Sequence, residues 1–257
     1  MMATQSSGET FRGALWPGIA GIVSGCLMIA GLVLLMWRTP DTGEPGGLGA
    51  TLVFYSEQGN LDLSETSAVL LVGAGLLFMW FLVALARLAG NRSHLVLVGG
   101  CVFTVFLIGA ALVGNIYAIS ASRSDAFLVL PQTVLVAVLL LDLAYALLVA
   151  AMVGAAVMLF AMWRVAATTK AVPEWLGWAG LVVAIVSLAG PFSAWLTPLL
   201  LAVWTITAGV LLILKARAAA RETGEHPDRT DGTPGATPPP GPPEAPEGPG
   251  APGTHRA

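Results

Sequence analysis

The sequence predicts an all-α polytopic membrane bundle of six transmembrane helices with both termini cytoplasmic, and three observations predict it. Mean hydropathy is +0.80 and only 11% of the residues are charged, against about a quarter in soluble domains. Six long apolar stretches lie between Leu15 and Leu214. Of the 12 Lys and Arg, all but Arg38 and Arg123 fall on one side of the membrane those stretches would span.

A helix needs about 20 apolar residues to cross ~30 Å of hydrocarbon. The candidates run about Ala14 to Trp37, Ser67 to Ala86, Leu95 to Ser120, Leu140 to Trp163, Trp175 to Gly190 and Ala194 to Leu214. The fifth is the shortest. Arg87 and Arg92, Arg164 and Lys170, then Lys215, Arg217 and Arg221 follow the second, fourth and sixth spans and share a face with Arg12. By the positive-inside rule that face is cytoplasmic. The first outer loop, Arg38 to Thr66, is acidic through Asp41, Glu44, Glu57, Asp62 and Glu65. Trp16, Trp37, Trp163, Trp175 and Trp195 sit at span ends, where indole prefers the headgroup layer.

Ala126 to Trp163 tests this scheme, because as one helix its 38 residues would reach roughly 57 Å. Two spans would turn the basic C-terminal flank outward, against the charge rule. A single span is therefore expected, with Phe127 to about Leu139, broken by Pro131, as an interfacial or re-entrant piece on the outer side. At the N-terminus, Val23-Ser24-Gly25-Cys26 resembles a lipoprotein signal. The apolar run continues to Trp37, beyond the length of a cleaved signal, so a retained first span is expected.

From Glu222 onward the chain turns to Pro and Gly with almost no apolar side chains, a composition that cannot offset its ordering entropy. The expected organisation is a short cytoplasmic N-terminus (1–13), a transmembrane domain (14–216) and a disordered Pro/Gly-rich cytoplasmic tail (217–257). From Glu222 onward the chain carries six acids against Arg229 and Arg256, so the residues before it are close to neutral within the net charge of -3. No basic face exists for nucleic acid. Cys26 and Cys101 lie inside apolar stretches and give neither a disulfide framework nor metal-ligand spacing. His94, His226 and His255 are too scattered for a metal or nucleophile constellation. Neither cofactor nor metal is expected.

Asp142 is the only acid inside an apolar stretch, and such a group is a functional-site hypothesis by default. It lies 22 residues before Arg164, hence roughly 33 Å away and near the outer interface. Asn115 reaches a similar depth on the preceding span. Tyr145 follows Asp142 at i+3 and shares its face, whereas Tyr117 follows Asn115 at i+2, points nearly the opposite way, and is left out. Asn115, Asp142 and Tyr145 form the candidate polar cluster. As a clasp between two helices it would contribute about 0.5 to 2 kcal/mol; as a proton or cation site it would support transport. The clasp is favoured, because no second buried acid or base exists to relay a proton.

At the fifth span, Pro173 and Glu174 suit a first helical turn, and Trp175 and Trp178 suit an interface. The run Lys170 through Gly180 resembles the basic-x-x-Pro-x-Trp-Leu-Gly-Trp-x-Gly stretch of an uncharacterised six-helix membrane protein family of GC-rich bacteria, a domain of unknown function. Phe54-Tyr55-Ser56-Glu57 in the first outer loop and Asp142 at the head of the fourth span look similar to that family too. The resemblance covers roughly residues 14 to 214 and implies no activity. The reading is a non-enzymatic structural, accessory or signalling component of the cytoplasmic membrane, with the bilayer and another membrane protein or a second copy as partners. The alternative is a small-molecule or ion transporter using the Asp142 cluster.

Overall fold

In the computed structural model, residues 6–38, 47–90, 93–123, 129–169, 173–189 and 196–224 are described. They form seven helices: α1 (Ser6–Arg38), α2 (Gly47–Ser56), α3 (Gln58–Ala89), α4 (Ser93–Arg123), α5 (Pro131–Thr169), α6 (Glu174–Ser187) and α7 (Leu196–Gly224). Among the described residues there is no strand. Five helices, α1, α3, α4, α5 and α7, are long and apolar enough to cross a membrane. Their outward faces stay apolar, with Trp80, Val105 and Val203 more than half exposed. A surface of this kind is one that lipid covers.

Six helices form a ring in chain order. α1, α3, α4, α5 and α6 each pack on the next, and the ring closes where α7 meets both α6 and α1. Neighbours run antiparallel. On α1, Gly18 faces Gly209 and Ile213 of α7 while Gly25 faces Ala202 and Ile206. On α3, Gly75 faces Thr104 and Ile108 of α4, and Leu82 reaches back to Gly100. The Ser24 hydroxyl donates to the Ala74 carbonyl at 2.8 Å and the Ser67 hydroxyl to the Gly31 carbonyl at 2.9 Å, joining α1 to α3 at two levels. Hydroxyl-to-carbonyl bonds of this sort hold helices together where no water competes. Phe78, Phe81, Phe103, Met152, Met158 and Leu159 fill the centre of the ring, all fully buried.

The tightest seam joins α4 to α5. A Cβ built on Gly99 would lie 2.6 Å from the Met158 nitrogen, and one on Gly154 would lie 2.6 Å from the Phe103 nitrogen. Backbone meets backbone there, and any side chain larger than hydrogen at either position forces the helices apart.

Three features depart from the sequence reading. First, α5 is a single helix of 39 residues, about 58 Å long, so residues 131–139 are neither re-entrant nor broken from the span. Pro131 starts the helix, at the first helical position, where its missing N–H has no intrahelical role. The Thr133 hydroxyl completes this start, accepting from the Leu130 N–H at 3.0 Å. Phe127 and Leu128 lie outside the described residues. Second, the acidic segment between α1 and the expected second span is partly helical. α2 packs on α5 and α3, and the first nine residues of α3, 58–66, precede its expected start. Third, α6 has 14 residues and is about 21 Å long, short of the ~30 Å hydrocarbon core.

α7 continues past the expected boundary at residue 216 to Gly224, with Arg221 in its last turn, where a cation complements the helix end. Residues 1–5 and 225–257, including most of the expected tail, lie outside the described residues.

Candidate functional site

The N-terminal head of α5 extends the helix beyond the length a bilayer requires, and a second small core covers it. Tyr55 of α2, Leu61 of α3, Tyr117 and Ala118 of α4 and Ala137 of α5 form this cluster. Tyr55 and Tyr117 are each 3% exposed, with ring centroids 4.7 Å apart. Phe54 meets Tyr55 edge to face at 5.0 Å. Tyr117 also reaches the start of α5. The Thr133 hydroxyl lies 2.9 Å from the Leu130 carbonyl, which only accepts, and 3.0 Å from both the Leu130 N–H and the Tyr117 hydroxyl. The Tyr117 and Thr133 hydroxyls are hydrogen-bonded to each other, and either can be the donor.

Beneath the cluster is a cavity of about 20 Å³ lined by Phe54, Tyr55, Asn60, Ser64, Ser67 and Asn115 together with leucines and Gly114. That is room for one water. Asn60 is held in place by two bonds from its amide, to the Phe54 carbonyl and to Glu57 Oε2, both 3.1 Å. Among the described residues the Tyr55 hydroxyl has no hydrogen-bond partner, and neither has the Asn115 amide oxygen. Both belong to side chains that border the cavity. Burial, and secondarily the neighbouring Tyr117, pushes the Tyr55 phenol up to about 12, so this hydroxyl stays protonated and available as a donor. At the rim, Arg123 at the end of α4 pairs with Glu65 of α3.

Of the sequence-predicted residues, Asn115 is buried, at 2% exposure, and its amide donates to the Ala111 carbonyl of its own helix at 2.8 Å. Asp142 is exposed and Tyr145 half-buried on α5. Among the described residues no hydrogen bond joins Asn115 to Asp142, so the structure does not bring the expected clasp together. The reason is angular. Leu141 and Ala144 are the α5 residues that turn toward the cavity and Gly114, and Asp142 lies about 100° further round the helix.

Sequence reasoning passed over Tyr117 and did not bring Tyr55, Asn60 and Thr133 together. The one signal was the aromatic Phe54-Tyr55 pair beside the acidic stretch. The polar part of the lining consists of neutral hydroxyls and amides, without a paired nucleophile and base. Among the described residues no group of His, Cys, Asp and Glu could hold a metal ion.

The helices define an all-α protein with the architecture of a multi-pass membrane bundle. No family model, curated protein or solved structure matches this chain.

Proposed function

We propose that the chain crosses the cytoplasmic membrane of a bacterium six times, with both termini inside, and acts as a non-enzymatic structural, accessory or signalling component of that membrane. Support for six crossings comes from direction. α6 runs antiparallel to α5, with Gly177 against Ala166 and Gly180 against Leu159. The α7 indole of Trp204 donates to the Leu176 carbonyl of α6 at 3.1 Å. α6 then provides the fifth crossing, and α7 returns toward the end that carries Arg87, Arg164, Lys215, Arg217 and Arg221. The resemblance to an uncharacterised six-helix family accords with this arrangement.

The observation that carries the accessory reading is the filled ring. Packed side chains from all six helices occupy the centre, and the polar cavity beneath the outer cluster admits one water, far less than a solute path requires. Such a protein acts through its surface, on another membrane protein or a second copy. Reconstitution into proteoliposomes tests this: proton, sodium and potassium fluxes should equal those of empty liposomes. A pH-coupled flux lost equally in Asp142→Asn and Asp142→Ala would replace this reading with a transporter.

A further inference from the structure

A different cavity, of about 180 Å³, opens where the end of α5 meets the start of α6, lined by Trp163, Ala166, Ala167, Glu174 and Trp178. The two indoles make a corner, edge to face, with centroids 5.7 Å apart at 65°. Phe160 supports Trp163 from the side, at 5.4 Å. The short side chains of Ala166 and Ala167 leave the space, and Gly177 lets α6 approach closely enough to wall it, since a Cβ there would lie 2.6 Å from that of Ala166.

Among the described residues the polar groups at this corner have no partners. Glu174 is exposed and, among the described residues, its carboxylate has neither an ion pair nor a hydrogen bond. The same holds for the guanidinium of Arg164, which follows Trp163 and is also exposed. Among the described residues the Trp163 indole N–H is buried without an acceptor.

Two electron-rich ring faces beside a carboxylate suit an organic ammonium. A divalent metal ion would need several more oxygens than one carboxylate supplies. The ammonium's source follows from depth. Trp175 and Trp178, 56% and 57% exposed, lie with Trp163 where a bundle in a bilayer meets the headgroups. There a cation comes tethered to a phosphate, whose partner is Arg164. An oxygen of the same molecule drawn into the corner would give the Trp163 N–H its missing acceptor.

We propose that the corner of Trp163, Trp178 and Glu174 binds the ammonium of a zwitterionic phospholipid headgroup, with Arg164 facing its phosphate. This rests on the membrane location alone and stands or falls apart from the accessory role.

Native mass spectrometry of the full chain, released from micelles doped with phosphatidylethanolamine or with phosphatidylglycerol of the same acyl chains, tests it. One phosphatidylethanolamine per chain is retained, and phosphatidylglycerol is held about tenfold more weakly, the factor expected for losing one charge partner or one cation–π wall. Glu174→Gln and Trp178→Ala each lower phosphatidylethanolamine retention by about that factor and leave phosphatidylglycerol retention unchanged. Glu174→Gln alters an exposed side chain without changing its size, so its melting curve matches that of the parent. Equal retention of the two lipids, or unchanged phosphatidylethanolamine retention when Glu174→Gln and Trp178→Ala are combined, overturns the proposal. Displacement of the lipid by soluble phosphoethanolamine at equal concentration overturns its lipid source.

Discussion

Gly154→Ala measures how close the α4–α5 seam is to its limit. The added methyl would sit 2.6 Å from the Phe103 nitrogen, 2.9 Å from the Gly99 oxygen and 2.9 Å from Val102 Cγ1. Two of those atoms are backbone and cannot rotate aside, so α4 and α5 must separate by most of an ångström. Overpacking of this kind costs about 1 to 3 kcal/mol, against which alanine recovers ~1 kcal/mol of helix propensity. Separation also loosens the contacts of Phe103, Leu107, Met152 and Met158 along the same seam, placing the net loss at about 2 kcal/mol. Gly73→Ala is the control, because its methyl would find only Leu27 Cδ1, at 3.8 Å; there propensity should prevail and stability rise by up to ~1 kcal/mol. In detergent, at about 2 to 4 °C per kcal/mol for a chain of this size, Gly154→Ala should melt roughly 4 to 8 °C below the parent and Gly73→Ala at or above it. Gly99→Ala opens the same crossing, so the double variant should lose less than the sum of the single losses. A Gly154→Ala protein as stable as the parent would refute the backbone-contact argument.

The Tyr55 phenol, raised by burial to about 12, gives a pH signature. Its folded value lies above the ordinary 10, so its contribution is fully present below pH 10 and is lost as pH rises toward 12, about 2 to 3 kcal/mol in all. The stability difference between the parent and Tyr55→Phe should therefore shift across that window in alkaline chemical denaturation and be flat from pH 7 to 9. Asp142, exposed and without a partner among the described residues, should tolerate both Asn and Ala within about 0.5 kcal/mol in detergent melting; a loss of 2 kcal/mol on Ala alone would restore the clasp. Truncation after Gly224 removes a Pro- and Gly-rich segment with almost no apolar side chains, and yield and melting should be unchanged.

The five long helices were legible because lipid imposes length and apolarity directly on the sequence. α6 was harder to read: the apolar run from Trp175 to Gly190 continues past Ser187, where the helix ends, and composition alone does not place a helix end. α5 runs 39 residues without a break, whereas the sequence reading takes 38 residues as too long for one helix and starts the span near Leu140. The error lay in reading Pro131 as a breaker, when the N–H it lacks is one that a helix start leaves unbonded. What covers the excess was hidden, because α2 shows no strong periodicity and its partners come from three other helices. The Asn115, Asp142 and Tyr145 cluster failed for a related reason. Depth follows from residue counting, but rotation about the helix axis is set by packing, and one residue of offset turns a side chain by about 100°. Tyr117 points away from Asn115, yet both are buried, because α4 is covered on both those faces near its C-terminal end.

Whether α6 provides a crossing decides the topology, and one labelling experiment addresses it. Single cysteines are placed at positions 45, 124, 168, 193 and 225 in a chain whose Cys26 and Cys101 are replaced by serine. They are then probed in right-side-out vesicles with a membrane-impermeant maleimide. Six crossings predict external labelling at 45, 124 and 193 and none at 168 or 225. Labelling at 225 with protection at 193 would mean that α6 turns back without crossing, and would contradict the account.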